Sequence, residues 1–222
     1  MKKANSFFAL FFSTILFISC NGRSSVGTSS EVSGNPSIIK IGDQTWCIQN
    51  LDVSTYRNGD VIPNVQDRNA WANLNTGAWC YYENKTANGT IYGKLYNWFA
   101  VNDPRGLAPK GFHIPNNAEW KTLIDYLGGD KVAGGKMKET GNLHWESPNS
   151  EVSNTSGFVG LPGGCCSYSG KFLDIGSYCY WWSSKEYDSE LAGFRYIDIG
   201  NAIENNLFTN KKNGNSVRCL AD

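Results

Sequence analysis

Histidine is nearly absent: His113 and His144 are the two in 222 residues. Neither has a His, Cys or carboxylate at metal-ligand spacing, so no zinc pattern is encoded and no metal is expected. His113, between Phe112 and Ile114, reads as a packed residue of a short apolar strand. Charge is scarce too, at 18% of positions, with Lys+Arg and Asp+Glu both at 20. No basic block or basic helix breaks that balance, which argues against nucleic acid or an electrostatically recruited membrane surface as a partner. The glycine run 128–141, GGDKVAGGKMKETG, is not a phosphate loop. From Gly129 the frame reaches Gly134 and then Gly135, where lysine is required, and the frame ending in Lys136 begins at Asp130. The run reads as a helix stop and a surface loop, with no nucleotide as partner. No Gly-x-Ser-x-Gly elbow is present, Cys165-Cys166 lacks CxxC spacing, and no cofactor is implied.

A long apolar run is also lacking. The one candidate, Phe7 to Ile18, is broken by Ser13 and Thr14 and is too short to span a bilayer. It follows Lys2-Lys3 and ends at Ser19-Cys20, the layout of an export signal over residues 1–19. Leu16 to Cys20, LFISC, is similar to a bacterial lipobox, with Ser19 suited to the cleavage pocket and Cys20 as the lipidated first residue of the mature chain. Multiple acyl chains on Cys20 would make a stable membrane anchor. Cleavage removes Lys2 and Lys3 and leaves 18 basic against 20 acidic residues, a formal net charge of −2. From Cys20 to Ser37 the chain is Ser/Gly-rich with almost nothing to bury, which reads as a flexible tether.

What is plentiful is aromatic: eight Trp, eleven Tyr and eleven Phe. All of the Trp and Tyr and six of the Phe fall within residues 38–222, in short segments. Ile38 to Leu51 alternates and turns at Gly42-Asp43, as a hairpin does. Pro63 to Ala72 predicts a short polar helix with Trp71 inward, Trp79 to Tyr82 a strand, and Asn84 to Gly89 a loop. Tyr92 to Gly128 predicts two helices joined by a Pro/Gly linker. The first carries Leu95, Trp98 and Phe99. The second has Asn116 as N-cap with Glu119 three residues on, then Trp120, Leu123, Ile124 and Leu127 as one stripe, and Gly128-Gly129 as its stop. Asn84-Lys85-Thr86, Asn88-Gly89-Thr90 and Asn154-Thr155-Ser156 fit the glycosylation triplet but read as loop polarity. Downstream, Gly157 to Gly164, Lys171 to Ser184, Gly193 to Ile199, Ala202 to Phe208 and Ser216 to Leu220 predict strands, with turns at Gly200-Asn201 and Asn213-Gly214. Alternation puts Cys179 and Trp181 on one face, Tyr180 and Trp182 on the other. One face is core, and the other is either a second core layer or an exposed aromatic platform.

In order, YGKLYNWFAV, GLAPKGFHIPNNAEWKTLIDYLGG, VAGGKMKETG, HWESPN, SGFVGLPGG, IGSYCYWWSS and NSVRCL resemble the Fibrobacter succinogenes major paralogous domain, from about Ile39 to Asp222. That resemblance implies a cell-surface lipoprotein domain. HIPNNAEW, the distant YWWSS and the closing SVRC also resemble the wider C-type-lectin-like fold. The implied class is α+β, two helices packed on a twisted antiparallel sheet with long loops. Glu-Pro-Asn and Gln-Pro-Asp, the calcium-dependent sugar motifs of that fold, do not occur here. The family often has cysteine where Ala108 stands and Met at Cys47. Cys165, Cys166 and Cys179 look like additions, which suggests a disulfide from Cys165 or Cys166 to Cys179, worth about 3 kcal/mol by loop closure. Six cysteines besides Cys20 allow fifteen complete pairings, and the sequence does not choose among them.

Three functions follow. The first is a non-catalytic binding or adhesion module for a glycan or an envelope or host protein, held in the cell envelope as an outer-membrane lipoprotein. Its contacts would be Trp181, Trp182, Glu186, Tyr187, Arg195 and Tyr196, because rings stack on sugar faces and Arg offers planar hydrogen bonding. The second is a structural subunit of an envelope or fimbria-like assembly. The third is a thiol-dependent enzyme using Cys165, Cys166 or Cys179, which requires an exposed thiol of lowered pKa.

Overall fold

The computed structural model describes residues 36–149, 151–200, 203 and 207–222. The export signal, Cys20 and nearly all of the tether lie outside the described residues, as do Asn201 and Ala202 of the expected turn and strand. No helix among the described residues is long and apolar enough to cross a membrane.

The expected first hairpin forms, from β1 (Ile38–Ile41) and β2 (Gln44–Cys47), turning at Gly42 with φ +60°. Asp67 caps α1 (Arg68–Ala72) by accepting from Ala70 N–H, and buried Trp71 donates to the Lys212 carbonyl at 2.8 Å. After β3 (Trp79–Cys80), a 3-10 turn at Tyr82–Asn84 leads into α2 (Thr86–Tyr92), in place of the expected loop. A side chain at Gly89 would strike the Tyr81 ring, so the glycine that looked like a loop signal is a close-packing one.

The next expected helix is broken. β4 (Leu95–Tyr96) pairs with β3, and only α3 (Trp98–Val101) is helical. Asn97 is the reason: its side-chain oxygen accepts from Ala100 N–H and Ala78 N–H, so it caps α3 and ties it to the preceding chain. β5 (Phe112–His113) then precedes α4 (Asn117–Tyr126), which has the expected capping box at Asn116 and Glu119 and buries Trp120, Leu123 and Ile124. The glycine run does not lie on the surface throughout. It contains α5 (Ala133–Met137), with Ala133, Gly134, Gly135 and Met137 buried.

The rest is strand: β6 (Gly163–Cys166), β7 (Phe172–Ile175), β8 (Tyr178–Glu186), β9 (Leu191–Asp198), β10 (Leu207–Asn210) and β11 (Leu220–Ala221). Among the described residues they make a four-stranded sheet ordered β1-β2-β11-β5, a five-stranded sheet ordered β10-β9-β8-β6-β7, and the pair β3-β4. All pairings are antiparallel except β6 with β8, so the larger sheet is mixed. The class is α+β, as expected.

β8 runs between two cores. Trp181 joins Trp46, Trp120 and Phe158 under α4, while Trp182 joins Tyr96, Trp98 and Val217 on the other side. Burying both rings removes several hundred Å² of apolar surface from water, on the order of 300–500 Å² for two Trp side chains.

Candidate functional site

The structure separates the six residues expected to contact a ligand. Trp181 and Trp182 are 1% and 0% exposed. Their indole N–H groups donate to Asn50 Oδ1 at 2.9 Å and to the Tyr96 carbonyl at 2.6 Å. Arg195 is buried, donates to the Phe194 carbonyl, and burial lowers its guanidinium to about 10. These three are core residues, which corrects the expectation of an exposed Trp181/Trp182 platform. The alternation was right, but a second core covers the face that was to be free. Glu186 binds buried Lys211, and exposed Tyr187 packs on Phe208 with ring centroids 4.3 Å apart. Only Tyr196 belongs to a continuous partly exposed aromatic surface.

That surface is the outward row of β8 and β9. Past the point where the second core covers Trp182, the same face carries Tyr178 and Tyr180, and the register sets Tyr180 opposite Tyr196 and Trp182 opposite Phe194. Tyr178 and Tyr180 stack with parallel planes, 1° apart, at 5.5 Å between centroids. Tyr196 lies 5.7 Å from Tyr178 and 6.2 Å from Tyr180, and Phe194 lies 6.2 Å from Tyr180. All four rings are half-buried. Tyr180 donates its hydroxyl to Asp174 Oδ2 at 2.9 Å. Partial burial and the Asp174 carboxylate push the Tyr180 phenol above its ordinary value, so at neutral pH it stays a donor. Asp174 is exposed and has φ +65°, a left-handed conformation inside β7. The sequence signal for Tyr178, Tyr180 and Phe194 was present as period-two spacing (178, 180 and 194, 196). It was missed because the bulkier tryptophans drew the assignment.

The expected Cys166–Cys179 bond does not form. The parallel register sets Cys179 level with Gly164, two residues short of Cys166. Cys179 donates to the Ile197 carbonyl in one core, while Cys166 sits with Cys80 in another. All six described cysteines are buried thiols. Burial pushes Cys165 up to about 12 and Cys179 higher still, the opposite of an activated nucleophile.

A cavity of about 460 Å³ lies between Ile48–Asp52 and Gly89–Gly93, with Arg218 in its lining. Arg218 is fully buried, and no carboxylate pairs with it among the described residues. It donates to Asn50 Oδ1 and to the carbonyls of Cys47 and Phe158, the last at 2.6 Å. Its role there is that of a strut between loops. Among the described residues, no group of three or more His, Cys, Asp or Glu is placed to hold a metal ion.

Fold and surface together define an α+β domain whose partly exposed aromatic row stands on a doubly packed central strand. The chain belongs to the Fibrobacter succinogenes major domain family, whose family model matches residues 39–221. No curated protein and no solved structure matches it.

Proposed function

We propose that this domain is a non-catalytic recognition module of the cell envelope, C-type-lectin-like in fold, which binds carbohydrate along Tyr178, Tyr180, Phe194 and Tyr196. Family membership fits an envelope or surface protein. The lipobox-like LFISC supports anchoring to the outer membrane through Cys20. The observation that carries the binding role is the four-ring row with Asp174 at its edge. Aromatic bodies offer apolar faces to sugar C–H groups, and phenol and carboxylate tips offer hydrogen bonds to hydroxyls. Rings already packed against one another lose little freedom on binding, which favours recognition by a preorganised surface. The high thiol pKa values of Cys165 and Cys179 weigh against the thiol-enzyme alternative.

The test is a glycan array probed with the full chain and with a Tyr178→Ala/Tyr180→Ala variant whose unfolding transition matches the parent's. The expected result is a defined set of bound glycans for the parent, lost in the variant. An array with no bound glycan, or equal binding by both proteins, overturns the carbohydrate reading. Capture of a defined envelope protein through the same rings would replace it with a protein-binding one.

A further inference from the structure

Two pairs of buried thiols meet across the fold. Leu220 of β11 pairs with Trp46 of β2, and the next step of that antiparallel ladder sets Cys219 opposite Cys47. The Cys47 N–H donates to the Cys219 carbonyl at 2.9 Å, which fixes the two backbones in register. Directly opposed residues on antiparallel strands have Cα atoms about 4.5–5.5 Å apart, inside the range of about 4.4–6.8 Å that a disulfide spans. The two side chains lie together in one buried core, beside Leu51 and Val217. The neighbouring Cys219 side chain, together with the Arg218 charge, holds the Cys47 thiol below its ordinary value despite burial, so Cys47 is the more acidic partner. The second pair is Cys80 of β3 and Cys166 of β6, buried together in the core built from Trp71, Tyr82 and Leu95, with the Cys166 thiol 3.8 Å from the Ser167 carbonyl. Cys165 and Cys179 are engaged differently. Cys179 is bonded to the Ile197 carbonyl, and Cys165, on the opposite face of β6 from Cys166, lies near Asp174.

We propose that Cys47–Cys219 and Cys80–Cys166 are the disulfide sites of this domain, and that Cys165 and Cys179 remain thiols. Each bond forms by thiol–disulfide exchange with an oxidoreductase carrying a reactive disulfide, the class of oxidant an exported chain meets. One thiolate of the pair attacks the oxidoreductase disulfide and makes a mixed disulfide. The second thiolate displaces the oxidoreductase sulfur. The two thiol protons and two electrons end on the oxidoreductase, which leaves as a dithiol. The Cys47–Cys219 bond would join the first hairpin to the last strand, closing the four-stranded sheet from both ends of the domain.

The experiment is peptide mapping of the full chain, exported in an oxidising host, blocked with N-ethylmaleimide in denaturant so that buried thiols react, and digested without reduction. The expected result is two linked peptides, 47 with 219 and 80 with 166, with Cys165 and Cys179 alkylated. Because Cys165 and Cys166 share a peptide, Cys165→Ser should keep the second link and Cys166→Ser should abolish it. In the unsubstituted chain, reduction should lower Tm by roughly 10 °C. Alkylation of all six cysteines, or any link through Cys165 or Cys179, overturns the assignment.

Discussion

Arg218 shows what one residue can hold. Its guanidinium satisfies Asn50 Oδ1 and two backbone carbonyls from segments far apart in sequence, and Asn50 in turn accepts from Trp181. Desolvation lowers Arg218 to about 10, still charged at neutral pH, so the carbonyl dipoles replace the water it loses. Arg218→Met should therefore cost about 3 kcal/mol or more, because it strands buried acceptors. Arg218→Lys should rescue little, since an ammonium lacks the planar fork. Denaturant unfolding of both variants checks this. A pH dependence belongs to Asp103. The hydrogen bonds and charge of Arg105 hold its carboxyl below the usual carboxylate range, although burial opposes them. A depressed folded value means the contribution is complete above the unfolded pKa of about 3.9 and fades as pH falls through the lower folded value. Arg105 is 40% exposed, so solvent screening limits the contribution to about 0.5–1 kcal/mol. Asp103→Asn should lower stability by that much at pH 7, and the gap should close in acid, as Tm measured from pH 7 to pH 2 would show.

At the scale of elements, α4 was legible because every local signal agreed. Asn116 accepts from Ala118 and Glu119 N–H, Glu119 accepts from Asn116 N–H, and the stripe from Trp120 to Ile124 is buried. Asn116→Ala should cost about 1 kcal/mol, read as a fall in Tm, and a cap-preserving Asn116→Asp should not. The segment 92–101 was misread because its helical spacing is real, but tertiary partners outcompete it. Tyr96 pairs with Asn215 and Trp98 N–H donates to the Lys211 carbonyl, so the backbone leaves the helix at Leu95–Tyr96. The glycines at 89 and 134–135 were taken as loop signals, but Gly89 packs against the Tyr81 ring and Gly134 and Gly135 are buried within α5, a distinction that depends on what surrounds them in the fold. β8 was half legible. Its alternation named the two faces correctly, but what covers each face is set by α4 on one side and by Tyr96, Trp98 and Val217 on the other.

For the whole molecule, the arrangement explains why an aromatic-rich chain leaves one aromatic row accessible. The four-stranded sheet gathers the first hairpin and the last strand, and β8 is locked between two cores. The same strand then continues past its cover as the Tyr178–Tyr180 row, so a rigid core sets the spacing of the surface rings. The binding role of the ring row is tested by calorimetric titration of a glycan selected on the array into the full chain and into Tyr180→Phe and Tyr180→Ala. Tyr180→Ala should weaken binding about tenfold or more, the loss expected for an aromatic contact worth about 1.5 kcal/mol, with Tyr180→Phe between the two. Equal affinities for all three proteins would contradict it and place recognition away from this row.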